Sequence, residues 1–321
     1  MPSLPFLKLP KLSQLHVLKN SNLDDFFIFS LASKRAKNIA IDVRRNLDEF
    51  YWKLDRPFPL SYWIQLCPEL NFCFPMFGNV EMEGFQEWTL NGQVLPVLRF
   101  MGSYYIGELN MGTEYYHDLM DQFSKHILEV FRCTNFSFSS DNYSEELFVF
   151  KHSRKFEEVR YCIESVPSNH MKFALENLEI TKELNVEEPV PGFSWSGPLR
   201  MEVLIVEHSD WVTFEALMSM ECVEVRLSQH TFSKAQMKAF LRKWISGGFP
   251  NLEYCSLKTR RCLRILRGIE TMPYNPENRP EEHPRGFEDL SGGRDIRSND
   301  GVLATIKYHR GDLTLGVWND I

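Results

Sequence analysis

The chain has no CxxC pair and no Cys/His cluster at zinc spacing; its seven cysteines, at 67, 73, 133, 162, 222, 255 and 262, are odd in number and scattered. A structural zinc module and a disulfide framework are therefore excluded, and the composition reads as that of a reduced, intracellular protein of the cytoplasm or nucleus. No run of about 18 apolar residues occurs, and the opening MPSLPFLKLPKL interleaves prolines and lysines with single apolar residues, so neither a membrane span nor a signal-peptide core is expected. GxSxG, GxGxxG, P-loop, HExxH and EF-hand patterns are all missing, which leaves the standard catalytic constellations without a foothold. Positive charge is in deficit: 36 Lys and Arg face 43 Asp and Glu, a formal net charge of −7. The broad basic field that nonspecific nucleic-acid binding requires is absent.

What the chain does have is aromatic mass. It carries 25 Phe, 7 Trp and 11 Tyr in 321 residues, with 43% hydrophobic residues, so packing rather than metals should carry its stability, and composition makes no case for a cofactor. The first 45 or so residues specify three short helices. Leu12, Leu15 and Leu18 recur at helical spacing; Asn22 can cap a second helix ahead of Phe26, Phe27 and Leu31; Ser33 can cap a third that carries Ala36, Ile39, Ala40 and Val43. A module of this size rarely buries enough surface to be stable alone, so it should lean on a partner or on the remainder of the chain.

From about Phe50 to Met111 the pattern turns to alternating, aromatic-rich strands with a hairpin at Asn91-Gly92. A helix is expected from near Thr113, where Tyr116, Leu119, Met120, Phe123, Ile127 and Phe131 keep one apolar stripe. Between Cys133 and Arg267 strands and helices alternate. Five strand candidates share an apolar-x-x-apolar-x-apolar frame, starting at Cys133, Leu175, Met201, Met220 and Leu252, and Thr213 and a Ser233/Gln236 capping box start the helices between the later ones. The last three intervals, 26, 19 and 32 residues, are too uneven for a regular solenoid and point to irregular repeat-like units. The prolines at 273, 276, 280 and 284 mark an extended, charged loop that is either a surface excursion or a mobile segment, and the chain closes on a pair of antiparallel hairpins.

Few residues invite a chemical reading. GFSWSG at 192–197 has its glycines in the wrong places for a nucleophile elbow, and the His208/Asp210 pair is ordinary for a chain with nine histidines. Trp244 belongs to a helix's apolar face, whereas Trp195 lies in loop surroundings that suit a surface role. The basic run Lys258, Arg260, Arg261, Arg264 and Arg267 offers either a grip for an acidic or phosphorylated peptide or a solvated face.

The stretch FLKLPKLSQLHVLKNSNLDDFFIFSLASKRAKNI resembles an F-box of the large nematode families, in which an LP pair precedes apolar helices and an S-x-x-SKR-x-K string, here Ser30 to Asn38. FSKHILEVF, W-x-T-x-x-x-LMSMECVEVRLS, MKAFLRKWISGGFPNLEYCSL and DIRSNDGVLATI resemble the F-box-associated type 2 domain that accompanies it. The resemblance implies an α+β architecture: a three-helix F-box at 4–46, then an F-box-associated domain at 50–321 with irregular leucine-rich-repeat-like α/β units, its core at about 115–268, and β-hairpins. It implies a non-catalytic substrate receptor of an SCF-type cullin-RING ubiquitin ligase, docked on a Skp-family adaptor and through it on cullin. Leu9 and Pro10 match the LP pair, and Leu12, Val17, Leu18, Phe26 and Leu31 match positions that form the core or meet the adaptor. Trp195, Arg260, Arg261, Arg264 and Arg267 are the candidates for holding a target protein. Ser21 stands where the family usually keeps Leu, and His16 where an acidic residue is common. The alternative is an interaction module that no longer binds the adaptor.

Overall fold

The computed structural model describes residues 6–55, 61–67, 70–75, 86–100, 103–106, 113–140, 148–162, 165–258, 265–276, 282–285, 289–309 and 312–318. The chain divides into two compact units, Met1–Phe156 and Glu157–Ile321. Both mix helix and strand.

In the first unit, three short helices, α1 (Lys11–Asn20), α2 (Leu23–Leu31) and α3 (Lys34–Val43), follow a 3-10 turn at Phe6–Lys8. The caps anticipated from sequence form: the Asn22 side chain accepts from the Asp25 N–H at 2.7 Å and the Ser33 hydroxyl from the Ala36 N–H at 3.1 Å. Arg44, in the left-handed region at φ 42°, ends α3 and turns the chain into β1 (Arg45–Leu47). There follow β2 (Phe50–Asp55), β3 (Ser61–Cys67), β4 (Leu70–Pro75), β5 (Gln86–Leu90), β6 (Gln93–Phe100), β7 (Ser103–Ile106), α4 (Thr113–Val130), β8 (Phe131–Cys133) and β9 (Phe136–Ser140). The strands of this unit run β9-β2-β3-β4-β7-β6-β5 across one sheet, and β1 and β8 form a separate parallel pair. Asn91 and Gly92 both take positive φ, 51° and 87°, as the tight β5–β6 hairpin requires.

The helices and strands of this unit share one aromatic core. The Phe27 ring of α2 lies 4.8 Å from Phe72, 5.9 Å from Trp88 and 6.3 Å from Phe123, between centroids, and is itself fully buried. Helix α4 contributes Leu119, Met120, Phe123, Ile127 and Val130. Buried Asp24 ties α2 to the sheet, accepting from Arg99 Nη2 at 2.6 Å and from the Tyr104 hydroxyl at 3.1 Å. Burial first, then the neighbouring Asp24 carboxylate, push the Tyr104 hydroxyl up to about 12. The three helices are thus packed into the first unit, which extends to Phe156.

The second unit comprises β10 (Lys155–Tyr161), which begins two residues before it, α5 (Ser168–Asn177), β11 (Glu179–Val186), β12 (Val203–Val206), α6 (Phe214–Met218), β13 (Glu224–Ser228), α7 (Lys234–Ile245), β14 (Tyr254–Lys258), β15 (Met272–Pro273), β16 (Arg294–Arg297), β17 (Leu303–His309) and β18 (Asp312–Trp318). Its strands are ordered β10-β11-β12-β13-β14-β18-β17-β16-β15, with β11 to β14 parallel and the four C-terminal strands antiparallel. Thr213 caps α6, and the Ser233/Gln236 capping box starts α7. Four of the five expected frame matches lead into these parallel strands; the fifth, CTNFSF, leads into β9, which pairs with β2 of the first unit and belongs to no repeat. The frame selects short apolar strands of any sheet, so it cannot tell a repeat from a neighbour in sequence. The proline-rich segment, expected as a surface excursion or a mobile segment, returns a residue to the interior: His283 is buried, and its ring lies so close to Gly316 of β18 that a Cβ there would come within 2.8 Å.

Two predictions follow from the cores. Phe27→Ala should lower stability by about 3 to 5 kcal/mol, since it empties the point where four rings meet; urea unfolding measures it, and a loss under ~1 kcal/mol would show that the helical module contributes little to this core. The second concerns acid. His126 on α4 is buried, and its Nε2–H faces the Ser30 hydroxyl at 2.8 Å, the Ser30 proton being given to the Phe27 carbonyl. His230 accepts the Phe232 N–H on Nδ1 at 3.2 Å. Burial drops each imidazole to about 4, with the Lys37 charge adding to the effect at His126. Below pH 6.5 the unfolded chain takes up protons that the folded imidazoles refuse, so stability is complete above 6.5 and falls as pH drops towards 4, by up to ~3 kcal/mol per imidazole. Urea midpoints at pH 7, 5.5 and 4.5 should decline in wild type and decline less in His126→Gln; identical slopes would remove His126 from the account.

Candidate functional site

The first candidate surface lies on the N-terminal helices. Pro10 occupies the cap position of α1, where its missing N–H costs nothing. Gln14, only 4% exposed, turns its carboxamide back and donates to the carbonyls of Phe6 at 3.2 Å and Leu9 at 2.9 Å. Arg35 donates to the Leu7 carbonyl, and Phe6 meets Phe29 of α2 edge-on at 5.1 Å. The Leu9-Pro10 step is therefore held in one conformation before α1 begins. Because α1 buries only Gln14 and Leu18, two of its other apolar residues face outward and Leu15 is half-buried: Leu12 is 80% and Val17 48% exposed, and Leu7 stands just ahead at 37%. Of six large hydrophobic residues exposed among the described residues, these three fall within the first seventeen positions.

The seven residues matched to the adaptor face thus divide. Pro10, Leu12 and Val17 are exposed and Leu9 is half-buried, whereas Leu18, Phe26 and Leu31 are buried and support the helices from inside. Phe26 packs on Phe131 at 5.1 Å with the Arg45 guanidinium over its ring. Ser21 closes α1: its hydroxyl donates to the Leu18 carbonyl at 3.0 Å, and its own carbonyl accepts from Arg45. Sequence reading missed Gln14, which stands among other polar residues in KLSQLHVLKN with nothing in that pattern to mark it as buried.

The second candidate surface is one face of the parallel sheet. Alternation sends Leu184, Val186, Leu204, Val206, Val225, Leu227, Cys255 and Leu257 to a buried face, and α6 and α7 supply Leu217, Met237, Phe240, Leu241 and Trp244 to the core. The opposite face carries two registered rows, Glu183-Val203-Glu224-Tyr254 and Asn185-Ile205-Arg226-Ser256. Arg226 donates to Glu224 at 2.6 Å, lies 5.3 Å from the Tyr254 ring and donates to the Arg285 carbonyl at 3.1 Å. Arg285 in turn pairs with Glu253 and, at 3.1 Å, with Glu202. Burial raises the Glu183 carboxyl above its ordinary value, and Arg160 at 3.1 Å opposes that rise.

Residues 198–257, the stretch from before β12 to the end of β14, match the family described as F-box associated. The matched segment therefore contains three of the four parallel strands and both intervening helices. An uncharacterized protein of Caenorhabditis elegans is 25% identical over 170 residues, which make up 50% of this chain and 40% of that relative, so the match spans well under half of the relative's length. No solved structure matches the chain.

Trp195 sits in the loop that joins β11 to β12, just outside the matched stretch. Its backbone pairs with the strand-like step at Val212, donating to the Trp211 carbonyl at 2.8 Å and accepting from the Thr213 N–H at 3.0 Å. Its half-buried indole borders a groove of about 670 Å³ with Pro198, Arg200 and Glu179. Arg267 is exposed beside α7, whose Lys238 donates to its carbonyl, while Arg260, Arg261 and Arg264 lie outside the described residues. Trp211 and Trp244 are buried. Cys73, Cys133, Cys162, Cys222 and Cys255 are free thiols; burial pushes those of Cys222 and Cys255 up, which makes them poor nucleophiles. Among the described residues no three His, Cys, Asp or Glu side chains converge as a metal site, and no helix is long and apolar enough to cross a membrane.

The Trp195 indole is held against Gly197, where an added Cβ would lie 2.6 Å from Cζ2. Gly197→Ala should displace the ring, shift tryptophan emission to the red and cost about 1 to 3 kcal/mol. Unchanged emission and an unchanged melting temperature would show the loop to be free to yield.

Proposed function

We propose that this chain is a non-catalytic substrate receptor of an SCF-type cullin-RING ubiquitin ligase, in which residues 4–46 form an F-box that docks on a Skp-family adaptor and residues 50–321 hold the target protein. The observation that carries this reading is the combination of an F-box-associated match at 198–257 with a fixed Leu9-Pro10 step flanked by exposed Leu7, Leu12 and Val17. Exposed apolar residues on a rigid support are the anchors of a protein interface, since burying them costs little further ordering. The adaptor surface consists of Leu9, Pro10, Leu12 and Val17, with Leu7 beside them; Leu18, Phe26 and Leu31 set its shape from within. Ubiquitin transfer belongs to the partners, and the target-facing unit contributes Trp195 and the basic run that ends at Arg267. The adaptor-free alternative drew on Ser21, but its hydroxyl serves the end of α1, so a local role accounts for the residue.

The test is titration calorimetry of the full chain with purified Skp-family adaptor. Leu9→Ala with Pro10→Ala should weaken binding by at least about two orders of magnitude, and Leu12→Ala by about tenfold, with the fold intact by circular dichroism. No binding by the natural sequence, or full affinity in the double variant, would sink the docking mechanism and leave the adaptor-free module.

A further inference from the structure

We propose that the pocket at the carboxyl ends of β11, β12 and β13 receives the cationic head of an arginine or lysine side chain presented by a target protein. This deepens the receptor reading, on which it rests, by naming the chemistry the target must offer.

The pocket encloses about 510 Å³, within the range of ligand sites. Each strand gives it the residue that steps directly off its end: Glu187 after β11, Glu207 after β12 and Gln229 after β13, with Glu188 beside the first. Its floor is the registered pair Asn185 and Ile205. In open parallel sheets the carboxyl ends of the strands are where ligands are held, because the loops there diverge. The electrostatics are one-sided. Elsewhere on this unit Glu183, Glu202, Glu224 and Glu253 all have arginine partners, but Glu187, Glu188 and Glu207 make no ion pair among the described residues. Of the lining residues only His208 can carry positive charge.

Asn185 supplies an independent second sign. It is 8% exposed, it lines the pocket, and its buried Oδ1 has no hydrogen-bond partner among the described residues. A buried acceptor left unpaired is costly, and a ligand donor relieves that cost. The surroundings of this side chain therefore ask for a donor, and the three carboxylates ask for that donor to be charged. A bare divalent ion does not suit them, because the carboxylates ring a volume and do not converge on a point. A guanidinium or ammonium group fills such a volume with several donors, and its methylene stem has Ile205 to lie on.

The experiment uses the full chain and fluorescent random octapeptides with a fixed central Arg, Lys, Gln or Glu, read by anisotropy. The Arg and Lys pools should bind at least tenfold more tightly than the Gln pool, and the Glu pool least. Glu187→Gln/Glu188→Gln/Glu207→Gln should abolish that preference without altering the melting temperature. Asn185→Leu leaves the charge unchanged, so a diffuse attraction would survive it whereas a seated cation would lose most of its tenfold advantage; should that variant fail to fold, the triple variant carries the test. Equal binding of the Arg and Gln pools, or full preference in either variant, overturns the pocket. Co-elution with the Skp-family adaptor is read in parallel: adaptor binding without Arg/Lys preference overturns the pocket alone, and preference without adaptor binding overturns the receptor reading alone.

Discussion

The parallel register of β11 to β14 is the constraint from which the second unit's surface chemistry follows. A period of two leaves each residue no choice of side, so once the leucines and valines at 184, 186, 204, 206, 225, 227 and 257 are buried, Glu183, Asn185, Glu224 and Arg226 are fixed on the other face at neighbouring positions. Charges brought together in this way must be reconciled. Arg160, Arg226 and Arg285 do so along the rows, and buried His283 closes over Gly316 at the edge of the same face. Where the strands stop, the pairing stops as well, and the carboxylates that step off the ends are left uncompensated. The polar face and the strand-end pocket are two consequences of one register.

The first unit solves a different problem, that of stabilising three helices too short to stand alone. Nucleation makes isolated helices of 9 or 10 residues marginal in water. Phe27, Asp24 and Ser30 on α2 each reach an element far along the chain, namely β4, β6 and α4, so the helix is held by tertiary contacts of three kinds: ring packing, an ion pair and a hydrogen bond. Helix α1 has an ion pair only to neighbouring α3, between exposed Lys11 and Asp42 at 2.8 Å. Its buried contribution is Leu18 and a glutamine, and that glutamine is spent on the backbone of Phe6 and Leu9. A helix that gives so little to the core leaves Leu12 and Val17 outside.

The local rules were legible in the sequence. Asn22, Ser33, Thr213 and Ser233 cap helices where short polar residues precede an apolar period, and Asn91-Gly92 turns a hairpin, because these signals depend only on near neighbours. What sequence could not convey was which face an apolar residue would take. Leu12 and Leu18 look alike as letters, yet one is exposed and the other buried, since six residues set them about 120° apart round α1 and only Leu18 shares the side of Gln14 that meets the core. The candidate target site was less legible still. Glu187, Glu188 and Glu207 read as ordinary loop acids, and only the register of the strands sets Glu187 and Glu207 at adjacent ends above Asn185 and Ile205. The signal available beforehand was faint: a polar residue directly after each strand of a repeat, visible only once strand ends are known.

Charge and burial divide the work of recognition between them. A chain with a net charge of −7 attracts basic partners at long range, and uncompensated carboxylates at the strand ends concentrate that attraction locally, which favours encounter more than it favours selectivity. Selectivity needs a group whose satisfaction depends on geometry. Asn185 is such a group, because its Oδ1 is buried at the pocket floor and meets no donor among the described residues. A basic side chain that merely approaches the rim gains the screened attraction of exposed charges, worth little at physiological salt; one that reaches Asn185 also pairs an acceptor that the fold has shut away from solvent. The expected basic grip at 260–267 would draw acidic targets, and the strand-end pocket draws basic ones, so a target that satisfied both would need charge of each sign at a fixed separation. That requirement is stricter than either surface imposes alone, and discrimination between ligands rises with it.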